Sequence, residues 1–247
     1  MGPAPFRDQQ ALAPVRLEPR RRLSGDSSLA MTWNRIGGLL AALCAALGIS
    51  PAAALAVWNV ECGSLTFIRG KPVLRFEAHV FFNRWGTDHE ALFDRHFQFG
   101  GRGGIDGARW EQHRFRRPES EDWRVFHGDQ QAEYIALALA ETLADKETAS
   151  LCASFGGPQI MGFNHDVIGY DSALAMRQAF ARSERWQVCG FFDFCAAKNI
   201  IEALKAADWT AFATIYNGPG NATGYATRIA GAHAGRSEEH TSELQSQ

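Results

Sequence analysis

The chain has 247 residues, 46% hydrophobic and 11% aromatic, enough for a buried core and against intrinsic disorder. Its net charge of −2, from 25 basic and 27 acidic residues, lacks the basic excess of a nucleic-acid-binding domain. Five cysteines (Cys44, Cys62, Cys152, Cys189 and Cys195) form no C-x-x-C pair and are odd in number. They read as free, buried, hydrophobe-like thiols of a protein made in a reducing compartment.

In chain order, residues 1–31 are rich in Pro, Arg and Ser and read as a flexible leader. From Met31 two readings compete. A basic residue, an apolar run over 36–49 and small residues at 52–54 imitate a secretory signal. The favoured reading is two short helices of a folded domain, with Ser50 as N-cap and Pro51 opening the second. The apolar run is too short for a transmembrane span. Residues 65–68 and 73–82, joined by Arg69-Gly70-Lys71-Pro72, predict a β-hairpin. Residues 87–97 predict a helix, and the Gly-, Arg- and Trp-rich stretch 98–128 a long loop with at most one short element. Asp129 caps a predicted helix through about Lys146, followed by helices over 147–154, 172–183, 184–198, 208–216 and 223–233. The expected fold is α+β, mostly helical, with a small β-hairpin. The last residues, from Arg236, resemble a translated DNA sequencing adapter and are set aside as a non-native tail over 236–247.

Four segments carry candidate chemistry. Glu61 sits in the last turn of its predicted helix, which Gly63 is placed to end, among Val57, Trp58 and Val60. Desolvation and the negative end of the helix dipole both raise a carboxyl pKa there, which suits a glycosidase general acid; a solvated helix-end glutamate is the bland alternative. In R75-F-E-A-H-V-F-F82 a strand would put Arg75, Glu77 and His79 on one face, lining a cleft or forming an ion-paired outer face. In S154-F-G-G-P-Q-I-M-G-F-N164, Gln159 and Asn164 offer amides suited to sugar hydroxyls and acetamides, though a tight glycine loop between helices serves as well. Tyr216 and Asn217, in I215-Y-N-G-P-G-N221, either present polar tips to a cleft or cap a packed helix end. The eight histidines form no H-E-x-x-H or other close ligand set. His79, His113, His127 and His165 read as structural or surface residues, and no metal or cofactor is called for.

Taken in order, Glu61 with Gly63, then PVLRFEAHVF, GGPQIMGFN and YNG, the segments resemble the N-acetylmuramidase family of phage endolysins and bacterial genomes. The resemblance runs from about Thr32 to Gly235. More distantly the pattern is similar to goose-type lysozymes and lytic transglycosylases. It implies a lysozyme-like domain over 32–235 that cleaves the β-1,4 bond between N-acetylmuramic acid and N-acetylglucosamine, with Glu61 as general acid; the alternatives are a lytic transglycosylase forming 1,6-anhydro ends and a non-catalytic peptidoglycan-binding module. It implies Glu77, in the family's F-E-x-H motif, as a second catalytic carboxylate. Gln159, Tyr216, Asn217, Ser154 and His79 would be substrate-binding, with Tyr216 and Asn217 near Glu61. The sequence departs from the family pattern at Ser154-Phe155-Gly156-Gly157-Pro158, where Ser-Trp-Gly is usual. The expected partner is the peptidoglycan glycan strand, met by a monomer without stable membrane insertion. The protein would be made in the cytoplasm and act on the cell wall, reached by holin-type release or a dedicated secretion route.

Overall fold

The computed structural model describes residues 15–24, 27–62, 65–220 and 222–237. In chain order these form α1 (Ser28–Leu47), α2 (Pro51–Cys62), β1 (Phe67–Ile68), β2 (Lys71–Pro72), β3 (Leu74–Phe76), α3 (Ala78–Arg84) and α4 (Glu90–His96). There follow β4 (Phe97–Gln98), β5 (Arg114–Phe115), β6 (Arg124–Val125), α5 (Gln130–Leu143), α6 (Lys146–Leu151), β7 (Ala153–Phe155) and β8 (Ile160–Met161). The described residues end with α7 (Ala173–Arg182), α8 (Glu184–Ala197), α9 (Ile201–Ala206), α10 (Trp209–Tyr216) and α11 (Ala222–Ser237). It is mostly helical with small antiparallel sheets, as expected.

Two compact units share these elements. The first takes the described residues up to Thr66, Val167–Gly169 and those from Arg182 on; the second takes Phe67–Asp166 and Tyr170–Ala181. In sequence, the second is inserted into the first.

The first unit is a helical assembly around one core. Trp33, Ile36, Leu40 and Leu43 of α1 pack with Leu55 and Trp58 of α2, Phe191 and Phe192 of α8, Phe212 and Ile229. Local chemistry sets its helix ends. The Ser27 hydroxyl accepts from the Ala30 amide to open α1, and Gly48 closes it in the left-handed region at φ 67°. Asp208 caps α10 by accepting from the Ala211 amide. One expectation is corrected here. Helix α1 starts at Ser28, inside the stretch read as leader, and residues 15–24 are strapped to it. Asn34 accepts from the Leu23 amide at 2.7 Å and donates to its carbonyl at 2.9 Å, while Trp33 donates to the Arg21 carbonyl. At 20 residues α1 is long and apolar enough to cross a membrane by length and composition alone, a test that a buried core helix also passes, and half of its apolar window is buried. Gly63, Asn221, residues 1–14 and the tail from 238 lie outside the described residues.

The second unit is built on aromatic packing. Phe76 lies against Phe81, Phe97 and Phe126 at ring-centroid distances of 5.7–6.0 Å. The predicted hairpin over 65–82 is corrected. Only β1 and β2 pair as a hairpin, Phe67 opposite Pro72; β3 pairs instead with β7, Leu74 opposite Phe155. Past Phe76 the chain turns into α3, because Ala78, Phe81 and Phe82 bury together at helical spacing. Strand β3 is an edge, and α5 closes it with side chains: Gln130 accepts from the Leu74 amide and donates to its carbonyl, and Glu133 accepts from the Phe76 amide at 2.8 Å. The stretch expected as a loop carries the three-stranded sheet β4-β5-β6. Residues 154–164 form the β7–β8 hairpin and a 3-10 turn, so Ser154 lies in a strand rather than at a helix end.

Candidate active site

Glu61 lies one residue from the end of α2, with Trp58 and Val57 fully buried on the preceding turn. The carboxyl is pushed up to about 7, first by burial, against the opposing hydrogen bond from Asn217 and the positive charge of Arg228. Asn217 follows the last turn of α10, and its Nδ2 donates to Glu61 Oε1 at 2.9 Å. Tyr216 stacks on Phe212 with ring centroids 5.1 Å apart and meets Phe194 edge-on. Buried Cys195 on α8 feels the Glu61 charge. The first unit therefore brings Glu61 of α2 into contact with Asn217 at the end of α10, next to Tyr216 in the chain. A half-protonated, hydrogen-bonded glutamate near neutral pH can give a proton to a leaving oxygen.

The remaining expected residues lie in the second unit. Glu77 stands between β3 and α3, 13% exposed, with Oε1 accepting from Arg75 Nε at 2.7 Å. Its Oε2 faces three imidazoles: His79 Nδ1 at 3.4 Å, His113 Nδ1 at 3.5 Å and His127 Nε2 at 3.9 Å. Burial raises the Glu77 carboxyl, but His79, Arg75 and the charge of His113 outweigh it and hold it at about 2. His113 is fully buried and pushed down to about 4, chiefly by burial, so its ring is neutral. The alternation of Arg75, Glu77 and His79 thus joins them as the sequence suggests, though across a strand–helix junction rather than along a strand.

Gln159 sits at the β7–β8 turn with a left-handed φ of 50°. Its amide is engaged at both ends, accepting from the Ser154 hydroxyl at 2.8 Å and donating to the Gly156 carbonyl at 2.7 Å. Ser154 is buried at 4% exposure, so its described contact is with Gln159. A cavity of about 1000 Å³ in the same unit is lined by residues including Ile68, Lys71, Arg117, Gln130 and Tyr134.

Sequence reasoning gave no role to Arg228 or Glu133, and read His113 and His127 as structural or surface residues. No short spacing joins the histidines, which come from segments some 34 and 14 residues apart in the chain. Arg228 reaches Glu61 only through the fold.

The sequence profile of the Muramidase family, N-acetylmuramidase, matches residues 50–236. Among solved structures the chain is similar to the Burkholderia AP3 phage endolysin, with 25% identity and a TM-score of 0.62, covering 82% of this chain and 70% of that one. No curated protein matches it. The family match spans α2 with Glu61, the inserted unit and α10 with Asn217: the chain belongs to the N-acetylmuramidase family.

Proposed function

We propose that this protein cuts the β-1,4 bond between N-acetylmuramic acid and N-acetylglucosamine, with Glu61 as the general acid. Family membership and the endolysin likeness support a peptidoglycan-cleaving enzyme. The observation that carries the finer reading is Glu61 itself, held near pKa 7 at a helix end by burial and oriented by Asn217. Protonated Glu61 gives its proton to the bridging oxygen as the C–O bond breaks and positive charge spreads over the ring carbon and its ring oxygen. The carboxylate left behind then takes a proton from the water that adds to that carbon, which restores the acid.

Tyr216 is read as shaping the floor beneath Glu61 through its aromatic packing, and Asn217 as fixing the carboxyl's direction. Gln159 is read as a sugar contact that must exchange its internal bonds for bonds to substrate, with Ser154 holding the turn. His79 and Glu77 face each other inside the second unit. We assign Glu77 to holding that cluster rather than to the second catalytic carboxylate, since both its oxygens point at cationic or imidazole groups.

With one assigned carboxyl, a second reading follows. A lytic transglycosylase needs the same acid and no water, because the sugar's own 6-hydroxyl attacks. Mass spectrometry of digested peptidoglycan separates the two. Reducing muramic acid ends are expected; 1,6-anhydro ends would favour the second reading, and intact glycan would contradict both.

A further inference from the structure

The second unit brings one ligand atom each from Glu77, His79 and His113 into a single cluster, with His127 Nε2 3.9 Å from the same Glu77 oxygen. Glu77 comes from the β3–α3 junction, His79 from the first turn of α3, His113 from the residue before β5 and His127 from the turn before α5. One potential donor atom from each of Glu77, His79 and His113 lies within 4.8 Å of the others. We propose that Glu77, His79, His113 and His127 bind a single zinc-class divalent cation that ties these segments together.

Elementary hydrogen bonding argues for it. His113 Nε2 lies 2.9 Å from the Arg109 carbonyl, which can only accept, so Nε2 carries a proton. Its Nδ1 has no hydrogen-bond partner in a ring with no solvent exposure. His127 Nδ1 lies 2.9 Å from Glu133 Oε1; donation to that carboxylate leaves Nε2 bare as well. Glu77 Oε2, His113 Nδ1 and His127 Nε2 are all buried without a hydrogen-bond partner. These three buried acceptor atoms share the cluster with His79 Nδ1, which lies 3.4 Å from both Glu77 Oε2 and His113 Nε2, and a positive centre among them would offset the cost of leaving them unpaired.

The spacing says which kind of centre. A tetrahedral cation with bonds of about 2.0–2.1 Å holds its ligand atoms about 3.3 Å apart. A water bridging the same atoms at about 2.8 Å would hold them about 4.6 Å apart, and has two protons for three acceptors. The contacts to Glu77 Oε2 are 3.4, 3.5 and 3.9 Å, nearer the cation value. Three imidazoles and one carboxylate are the donors that suit zinc, whereas magnesium and calcium prefer an all-oxygen set.

The supporting shell is already built. Each of the two buried-side histidines gives its second nitrogen to an acceptor: His113 to the Arg109 carbonyl, His127 to Glu133. Glu133 is itself 2% exposed and fixed by the Phe76 amide, while Arg75 holds the other oxygen of Glu77 and leaves Oε2 to bind alone. Such a site is closed and structural, and the inference stands independently of the chemistry proposed for Glu61.

The test uses untagged full-length protein, stripped with a chelator, dialysed against metal-free buffer and titrated calorimetrically with Zn²⁺, with Mg²⁺ and Ca²⁺ as comparisons. One zinc per chain is expected, with a rise in Tm, and no heat from the other two ions. Cobalt substitution should give the intense visible bands of a four-coordinate site. His127→Gln and His79→Gln should each weaken zinc binding at least tenfold, and Glu133→Gln by about 10–100-fold through loss of support. Glu61→Gln should bind zinc as the wild type does, so failure of the zinc site and failure of the Glu61 reading are told apart. Absence of zinc uptake, uptake unchanged in His127→Gln and His79→Gln, or a six-coordinate cobalt spectrum would each overturn the proposal; the cobalt result decides even if a variant fails to fold.

Discussion

At the scale of single residues, the behaviour of Glu61 follows from where its proton sits. A group whose folded pKa is raised, here from 4.5 to about 7, is equally content in both states when protonated, so it costs no stability below about pH 4.5. The cost grows between pH 4.5 and 7 and is complete above 7. Glu61→Gln is therefore expected to be neutral at pH 4 and to stabilise by on the order of 2–3 kcal/mol at pH 8, seen as a rise of several degrees in Tm. Activity should fall on an alkaline limb centred near pH 7, as the acid loses its proton. Asn217 and Arg228 both lower that pKa, so Asn217→Leu and Arg228→Gln should each move the limb upward. A pH–rate profile of kcat/KM checks both statements, and a limb that stays in place in both variants would contradict this account of Glu61. In the sequence the helix end and apolar neighbours of Glu61 suit a solvated glutamate as well as a general acid, and the ordered motifs resembling the N-acetylmuramidase family are what single it out. Its contact with Asn217 was not legible there, since 156 residues separate the two and only packing joins them.

At the scale of elements, two contacts set what the units tolerate. A Cβ on Gly162 would lie 1.9 Å from the Ser150 carbonyl oxygen, so backbone has to move; Gly162→Ala should lose about 2–3 kcal/mol of stability, read by urea denaturation. In the first unit, Arg35 Nε reaches both oxygens of Glu184 at 2.7 and 2.8 Å, and the Thr66 hydroxyl donates to the same carboxylate. Arg35→Leu leaves that buried carboxylate with a poorer set of partners. A loss of about 2 kcal/mol is expected, below the usual cost of breaking a buried pair because Arg35 is itself one-third exposed. Adding Glu184→Leu should recover much of it. Elements with strong caps and long periodicity, such as α5 behind Asp129 and α10 behind Asp208, were readable from sequence. The turn from β3 into α3 was not. Phe76, Ala78 and Val80 alternate as a strand would, while Ala78, Phe81 and Phe82 satisfy a helix equally, and tertiary burial decides. Strands of two residues, as in β4, β5 and β6, are too short to leave a period of two at all. The strap over residues 15–24 has no periodicity of its own and is held by Asn34 and Trp33.

At the scale of the whole molecule, the chain divides its duties between two compact units, one inserted in the sequence of the other. The first carries Glu61 and Asn217; the second carries the histidine cluster and the Gln159 hairpin. The central claim rests on the first unit, and the most direct test is release of reducing sugar from purified cell walls by Glu61→Gln beside the wild type. Circular dichroism should show an unchanged fold. The account predicts that the variant keeps the fold and loses release by at least two orders of magnitude, as expected for removal of a general acid (roughly 10²–10⁴-fold). A folded Glu61→Gln protein that still lyses walls at near wild-type rate would contradict it.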